Sequence, residues 1–183
     1  MRRSTGRGGV DVTQTLWILF AIGLGITQAL QVTMLGAMSQ LRGPYESTLT
    51  SIIGTLCGVT AALTVRSLLG SRPLLPPPMA SPIATGAIAV GAGVLLALVI
   101  RGLPLGFAIT GMLAVPYLLA ASYLAPRLGV GLFLAAIITG QLCGAVIFDH
   151  VGAFGMTQRP VDAMRMLGVV ALLVGVVLVK GTR

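Results

Sequence analysis

The sequence predicts an all-α integral membrane protein, a bundle of six transmembrane helices, with five helices as the alternative. Of its 183 residues, 56% are hydrophobic and only 9% are charged, whereas about a quarter of the residues in soluble domains are charged. The mean hydropathy of +1.00 is typical of an integral membrane protein. Several apolar runs are long enough to cross a bilayer as helices, and Gly, Pro and basic residues separate them.

The chain is predicted to form a single transmembrane domain, residues 14–183, preceded by a basic tail, residues 1–13. The tail contains Arg2, Arg3 and Arg7, and a tail of this charge normally stays in the cytoplasm. No clear cleavage site follows it, so the next apolar run is interpreted as a retained span and not as a signal peptide. We therefore expect a multi-pass protein of the plasma (inner) membrane with a cytoplasmic N-terminus.

Span one is predicted at residues 16–39. Gln28 and Gln31 are three residues apart, so their side chains share one helix face. An unpaired amide in hydrocarbon costs several kcal/mol, so these side chains must face protein or a water-filled cavity. Two interpretations stay open: hydrogen bonds that join helices, or the lining of a substrate path.

Span two, residues 47–69, follows a turn at Gly43 and Pro44, which together end the first helix. It contains Gly54 and Gly58 in a GxxxG pattern, and such small residues let two helices approach closely. We interpret this pattern as a helix-packing face, either within one chain or between chains.

Span three decides the number of helices. Residues 83–100 form a run of 18 residues without a charge, which is just long enough to cross the hydrocarbon core. A proline-rich linker, residues 70–78, precedes it. Basic residues do not decide between six spans and five, because both arrangements place eight Lys and Arg inside and four outside. Hydropathy favours six.

Span four is predicted at residues 105–124. Pro116 lies inside it, and we expect the helix to kink there. Tyr117 follows the proline directly and is a candidate for the lining of a substrate path.

Span five is predicted at residues 130–148. Its Gly140 and Gly144 form a second GxxxG pattern, with Gln141 beside the small face. An adjacent acid and imidazole, Asp149 and His150, end the span. They are either a functional pair at the membrane interface or a solvated helix end.

Span six is predicted at residues 163–180. Asp162 lies where the span begins and suits the helix dipole. The stretch between Arg165 and Lys180 contains 14 uncharged residues, about 21 Å of helix, which is shorter than the hydrocarbon core. Both cations must therefore extend outward, or the bilayer must thin locally.

The end of the chain carries a set of motifs that resembles a known family. The motifs are Gly140-Gln141-Leu142, Asp149-His150, Gly152, Gly155, Arg159-Pro160 and Arg165-Met166-Leu167-Gly168. Together they resemble the YdcZ-type, half-size branch of the drug/metabolite transporter superfamily. The resemblance extends to Gln31, but Leu35 stands where relatives usually have Asn. Such relatives usually have five spans, and residues 83–100 have no counterpart in them.

The resemblance implies a subunit of a small-molecule membrane transporter that exports a metabolite or a drug-like compound. One chain is about half a typical transporter of this superfamily, so the resemblance implies a homodimer, or a heterodimer with a paralogous short chain. An accessory membrane subunit that carries nothing itself is the alternative. The candidate residues are Gln28, Gln31, Gln141 and Tyr117 for the substrate path, Asp149, His150, Arg159 and Arg165 for the interface loop, and Gly54, Gly58, Gly140 and Gly144 for helix packing.

Other function classes are disfavoured by composition. One His and four acids provide neither a catalytic constellation nor a metal site, so we expect no enzyme, no metal and no cofactor. The net charge of +8 comes from Lys and Arg at the ends of spans, which indicates contact with the lipid bilayer and not with nucleic acid. The sequence does not identify the substrate.

Overall fold

The computed structural model describes residues 12–71 and 73–181. Six helices in this part of the chain are long and apolar enough to cross a membrane, which confirms the predicted all-α bundle of six. Arg2, Arg3 and Arg7 of the predicted tail lie outside the described residues. The helices are α1 (Val12–Arg42), α2 (Pro44–Leu68), α3 (Pro82–Val99), α4 (Ala114–Leu128), α5 (Val130–Val151) and α6 (Ala163–Lys180).

Two short 3-10 helices complete the chain, Leu105–Ile109 before α4 and Ala153–Gly155 between α5 and α6. The fourth membrane span therefore combines a 3-10 turn, an irregular segment and α4. Residues 12–15 and 40–42 are helical, so α1 extends beyond the span predicted from hydropathy.

The predicted kink at Pro116 is wrong in its position. The interruption lies at residues 110–113, and Pro116 occupies the first turn of α4, where no backbone N–H is needed. Because proline has no N–H to donate to the Met112 carbonyl, that carbonyl instead accepts a bond from the Val115 N–H at 3.1 Å. The Thr55 hydroxyl of α2 donates to the Gly111 carbonyl at 2.8 Å and so satisfies part of the broken backbone.

Helices α1 and α5 pack together at their glycines and run parallel. A Cβ atom on Gly140 would lie 3.0 Å from the Gly25 Cα, and one on Gly144 would lie 2.8 Å from the Ala29 Cβ. Residue numbers rise together along both helices, so the chain must cross the membrane an odd number of times between them. Spans two and four alone would give an even number of crossings. Residues 83–100 must therefore span the membrane as the third.

Helix α3 packs antiparallel to α2. The Thr64 hydroxyl bonds the Thr85 hydroxyl at 2.9 Å, and the Cys57 thiol lies 3.5 Å from the Ala89 carbonyl further along. These contacts return the chain across the bilayer and bring α4 alongside α2 in parallel.

The first and last helices have their outer ends on one side of the bundle. The Lys180 ammonium at the end of α6 donates to the Thr15 hydroxyl near the start of α1 at 3.1 Å. We name this side of the bundle the terminal face and the other side the opposite face. The ends of α1 and α5 and the start of α6 lie on the opposite face.

Candidate functional site

A cavity of about 310 Å³ lies between α5 and α6 on the opposite face, and we name it the α5–α6 cavity. Its lining residues are Leu142, Ala145, Val146, Asp149, Arg165 and Gly168. Leu142, Asp149, Arg165 and Gly168 stand in the sequence motifs of the chain's C-terminal part. Residues that are far apart in sequence and belong to recognisable motifs are thus brought together around one space.

Small side chains keep this cavity open. Ala145 contributes only a methyl group from α5, and a Cβ atom added to Gly168 of α6 would meet nothing within 4 Å. These small residues leave a space between the two helices, and the partly exposed Asp149 and Arg165 side chains lie at its end on the opposite face.

An ion pair lies in the wall of the cavity. The Arg165 guanidinium Nη1 lies 3.3 Å from Asp149 Oδ2, and the side chains are 30% and 46% exposed, respectively. The pair joins the end of α5 to the first turn of α6. Pairs this exposed contribute about 0–1 kcal/mol to stability, so the pair positions two charges without fixing the helices rigidly.

The loop between α5 and α6 is bonded back onto the end of α5. The Arg159 N–H donates to the Asp149 carbonyl at 2.8 Å, the Gln158 amide donates to the His150 carbonyl at 2.7 Å, and the Val161 N–H donates to His150 Nδ1 at 3.2 Å. His150 therefore holds the loop in place, and Arg159 contributes to that bonding through its backbone while its residue is exposed.

The start of α6 is fixed by a side-chain cap. Asp162 Oδ1 accepts a hydrogen bond from the Arg165 N–H at 2.8 Å, as a helix N-cap does. The cap bonds the backbone of Arg165, and the side chain of the same residue reaches Asp149.

Gln141 lies one helical turn deeper in the bilayer than Ala145. Gln141, Ala145 and Asp149 are spaced by four residues on α5, so they form one stripe on its surface. Gln141 is partly exposed, and within the described part of the chain its amide has no hydrogen-bond partner. The stripe thus leads from charged residues at the membrane surface to an unpaired amide near the middle of α5.

The amides of α1 lie elsewhere. Gln31 Nε2 lies 3.4 Å from the Ser51 hydroxyl of α2, and Gln28 is 9% exposed. The Gln28 Nε2 is buried without a partner among the described residues. At about 100° per residue, Gln31 is more than 100° around α1 from Gly25 and Ala29, which face α5. A single chain does not bring Gln31 and Gln141 to one cavity.

Tyr117 is also separate from the α5–α6 cavity. Its ring stacks on Phe133 of α5 with centroids 6.4 Å apart and an interplanar angle of 22°. Phe133 precedes Gln141 by two helical turns, about 12 Å. Tyr117 therefore belongs to the apolar packing between α4 and α5 toward the terminal face.

All four glycines of the two GxxxG patterns are packed within the chain. A Cβ on Gly54 would lie 3.1 Å from the Gly111 Cα, and one on Gly58 would lie 2.9 Å from a Val115 methyl. Gly140 and Gly144 face α1. These faces are used inside the bundle and are not free for a second chain.

A second cavity, of about 290 Å³, was not anticipated from the sequence. Its lining is apolar and comprises Met34, Leu41, Pro104, Gly106, Phe107 and Phe154. Phe154 has a φ of 58°, an uncommon conformation for a bulky residue. Ala145 and Val146 of the α5–α6 cavity were also missed, although their spacing from Gln141 and Asp149 could have indicated them.

Among residues 12–71 and 73–181, no group of three or more His, Cys, Asp or Glu side chains is placed to hold a metal ion. The two cysteines, Cys57 and Cys143, are unpaired thiols. The Asp149–Arg165 pair gives the α5–α6 cavity groups for ionic and hydrogen-bonding recognition.

Comparison with known proteins places the chain among transporters. No curated protein and no solved structure matched it. The family described as "Putative inner membrane exporter, YdcZ" matches residues 16–178, which include all six membrane-spanning helices except the ends of the first and the last. The match confirms the resemblance found in the motifs of the C-terminal part, and this multi-pass membrane protein belongs to the YdcZ family of the drug/metabolite transporter superfamily.

Proposed function

We propose that this chain is one half of a small-molecule exporter, and that the substrate passes along the α5–α6 cavity. The observation that carries the proposal is the lining of that cavity, since four of its six residues, Leu142, Asp149, Arg165 and Gly168, belong to the motifs of the C-terminal part. A transport path needs polar groups at the membrane surface and again near the bilayer middle. The ion pair supplies the first and Gln141 supplies the second.

Two half-size chains form the working transporter in this proposal. Residues of α5 and α6 alone line the cavity, so it lacks walls on its remaining sides. Val176 is the buried residue of α6, and most residues of that helix are exposed in one chain. A second copy, or a paralogous short chain, placed against α6 would supply the missing walls and would bring its own Gln31 or Gln141 to the path.

The terminal face is cytoplasmic in this proposal. With six spans, the segments that flank the terminal face contain eight Lys and Arg, and those that flank the opposite face contain four. The positive-inside rule then assigns the termini to the cytoplasm, and the α5–α6 cavity opens to the outside, where an exporter releases its substrate.

The exposure of Gln141 supports transport over a purely accessory role. A packing subunit would keep its amides paired at helix interfaces, as Gln31 is paired with Ser51. Gln141 is instead partly exposed, on the same stripe of α5 as Ala145 and Asp149 of the cavity wall, where a passing solute can reach it.

The proposal can be tested with proteoliposomes loaded with the total small-molecule extract of ¹³C-labelled bacterial cells, with and without an imposed pH gradient. Mass spectrometry of the retained contents should show one or more compounds lost through the wild-type protein but retained by the Gln141→Leu variant and by protein-free liposomes. Ile138→Leu, on the exposed side of α5, is the matched control and should behave as wild type. If the wild-type liposomes retain every compound that protein-free liposomes retain, export is rejected.

A further inference from the structure

The α5–α6 cavity has a balanced charge. Asp149 supplies one carboxylate and Arg165 supplies one guanidinium, while Leu142, Ala145, Val146 and Gly168 provide no charge and no polar side chain. The two charges are directly adjacent, and the remaining wall is apolar. Any occupant of this space therefore meets one cation, one anion and a hydrocarbon surface.

The ion pair leaves most of its bonding capacity unused. Its single contact joins Nη1 of Arg165 to Oδ2 of Asp149 at 3.3 Å. Within the described residues, Oδ1 of Asp149 has no hydrogen-bond partner. A guanidinium has five N–H donors arranged in a plane that matches a carboxylate or phosphate. Both side chains are partly exposed, at 30% and 46%, so an occupant can reach them from outside.

The balance of charge selects the occupant. A small cation that paired with Asp149 would displace Arg165 and leave it unpaired beside an apolar wall, and an anion that paired with Arg165 would do the same to Asp149. A partly exposed charge beside an apolar wall loses part of its solvation when its partner is displaced, so an occupant with a single charge gives up part of what it gains. An occupant with both charges pairs with both side chains at once, so neither is left alone.

We propose that the α5–α6 cavity binds a small zwitterion with an apolar body. Its ammonium group pairs with Asp149, its carboxylate or phosphate pairs with Arg165, and its apolar part lies against Leu142, Ala145 and Val146. The volume of about 310 Å³ is at the lower end of the range for small-molecule pockets, which fits a compound of amino-acid size. Asp149 and Arg165 are then selectivity residues of the site.

This inference names the substrate class of the proposed exporter and depends on that proposal for transport, but not for binding. Two sources share the chemistry: a free zwitterion such as an amino acid, and the headgroup of phosphatidylethanolamine, since the cavity opens at the membrane surface. The experiment therefore uses bilayers with and without that lipid.

The binding experiment uses the full chain in nanodiscs of phosphatidylglycerol, which carries no ammonium group, with radiolabelled L-leucine as the probe. Unlabelled L-leucine should compete, whereas isoamylamine and 4-methylpentanoate, which carry only one of the two charges, should compete at least tenfold more weakly. Asp149→Asn and Arg165→Gln should each weaken binding at least tenfold. Glu46→Gln and Arg101→Gln, exposed residues on the same face, are the charge-matched controls and should bind as wild type.

A second arm uses nanodiscs that contain phosphatidylethanolamine. If the headgroup is the occupant, this lipid should compete with L-leucine or replace it. Mass spectrometry should then find it retained by the wild type and lost from Arg165→Gln. Either L-leucine binding or lipid retention that depends on both charges supports the zwitterion site and identifies its source.

The inference is overturned if single-charge compounds bind the wild-type protein as tightly as L-leucine and no phosphatidylethanolamine is retained in a charge-dependent way. This comparison of ligands needs no variant, so it holds even if a substitution prevents folding. Zwitterion binding without release of any compound from proteoliposomes would keep the site and reject export. Export of an extract compound without zwitterion selectivity would reject the site and keep export.

Discussion

The Gly25 Cα of α1 and the Gly140 backbone of α5 are so close that a single added methyl group has no room. A Cβ on Gly140 would lie 3.0 Å from the Gly25 Cα and would collide with the Ile22 carbonyl. Backbone atoms cannot move aside as a flexible side chain can. This contact holds the two parallel helices that carry the chain's central amides, Gln28 and Gln141.

We predict that Gly140→Ala destabilises the protein by about 1–3 kcal/mol, the usual cost of overpacking. Gly23→Ala on α1 is the matched control, because a Cβ there meets nothing within 4 Å. Thermal unfolding in detergent should show a clear fall in the midpoint for Gly140→Ala and none for Gly23→Ala. Equal midpoints for the two variants would contradict the close α1–α5 contact.

A second prediction concerns Gln28, whose Nε2 is buried without a partner among the described residues. Replacement by Leu removes an unsatisfied polar group that costs about 1–3 kcal/mol, so Gln28→Leu should leave stability unchanged or raise it. Gln31→Leu should lower stability, because it leaves the buried Ser51 hydroxyl without its contact to Gln31. Thermal midpoints measured side by side decide this. A large loss for Gln28→Leu would show that Gln28 has a partner, such as bound water or a solute.

The third prediction is that both termini are cytoplasmic. In a background without Cys57 and Cys143, a cysteine at residue 183 should not react with a membrane-impermeant thiol reagent in intact cells. A cysteine at residue 101, an exposed position between α3 and the fourth span, should react. Permeabilised cells provide the control, since both positions should then be labelled. Labelling of residue 183 in intact cells would refute the orientation.

Hydropathy and turn residues predicted the six helices because each of these signals is local. The run at residues 83–100 needed only its length and lack of charge to be recognised. Contacts between distant segments were beyond local patterns. Nothing in the sequence shows that Gly140 faces Gly25, and that parallel contact requires an odd number of crossings between α1 and α5 independently of hydropathy.

The residues of the candidate site could be predicted from local patterns, but their arrangement in space could not. Gln141, Asp149 and Arg165 were identified as polar residues near one end of the chain, but their arrangement depends on how α6 folds back on α5. Pro116 signalled an interruption, but not its position. The break lies at residues 110–113 because Gly111 packs against the backbone of α2 and Thr55 accommodates its carbonyl.

The last prediction is that the chain works as a dimer whose contact includes α6. The four GxxxG glycines are already packed within the bundle, so the contact must use another surface. Helix α6 has Val176 as its buried residue, and a Cβ on Gly168 or Gly175 would meet nothing within 4 Å, so a second helix can approach closely there.

Gly175→Leu should therefore weaken dimerisation, whereas Gly131→Leu at the start of α5, also without a neighbour within 4 Å, should not. Native mass measurement in lipid particles should give twice 18.7 kDa for the wild type and for Gly131→Leu, and a larger monomer fraction for Gly175→Leu. A protein that is a single chain in those particles and still exports a compound from proteoliposomes would reject the dimer.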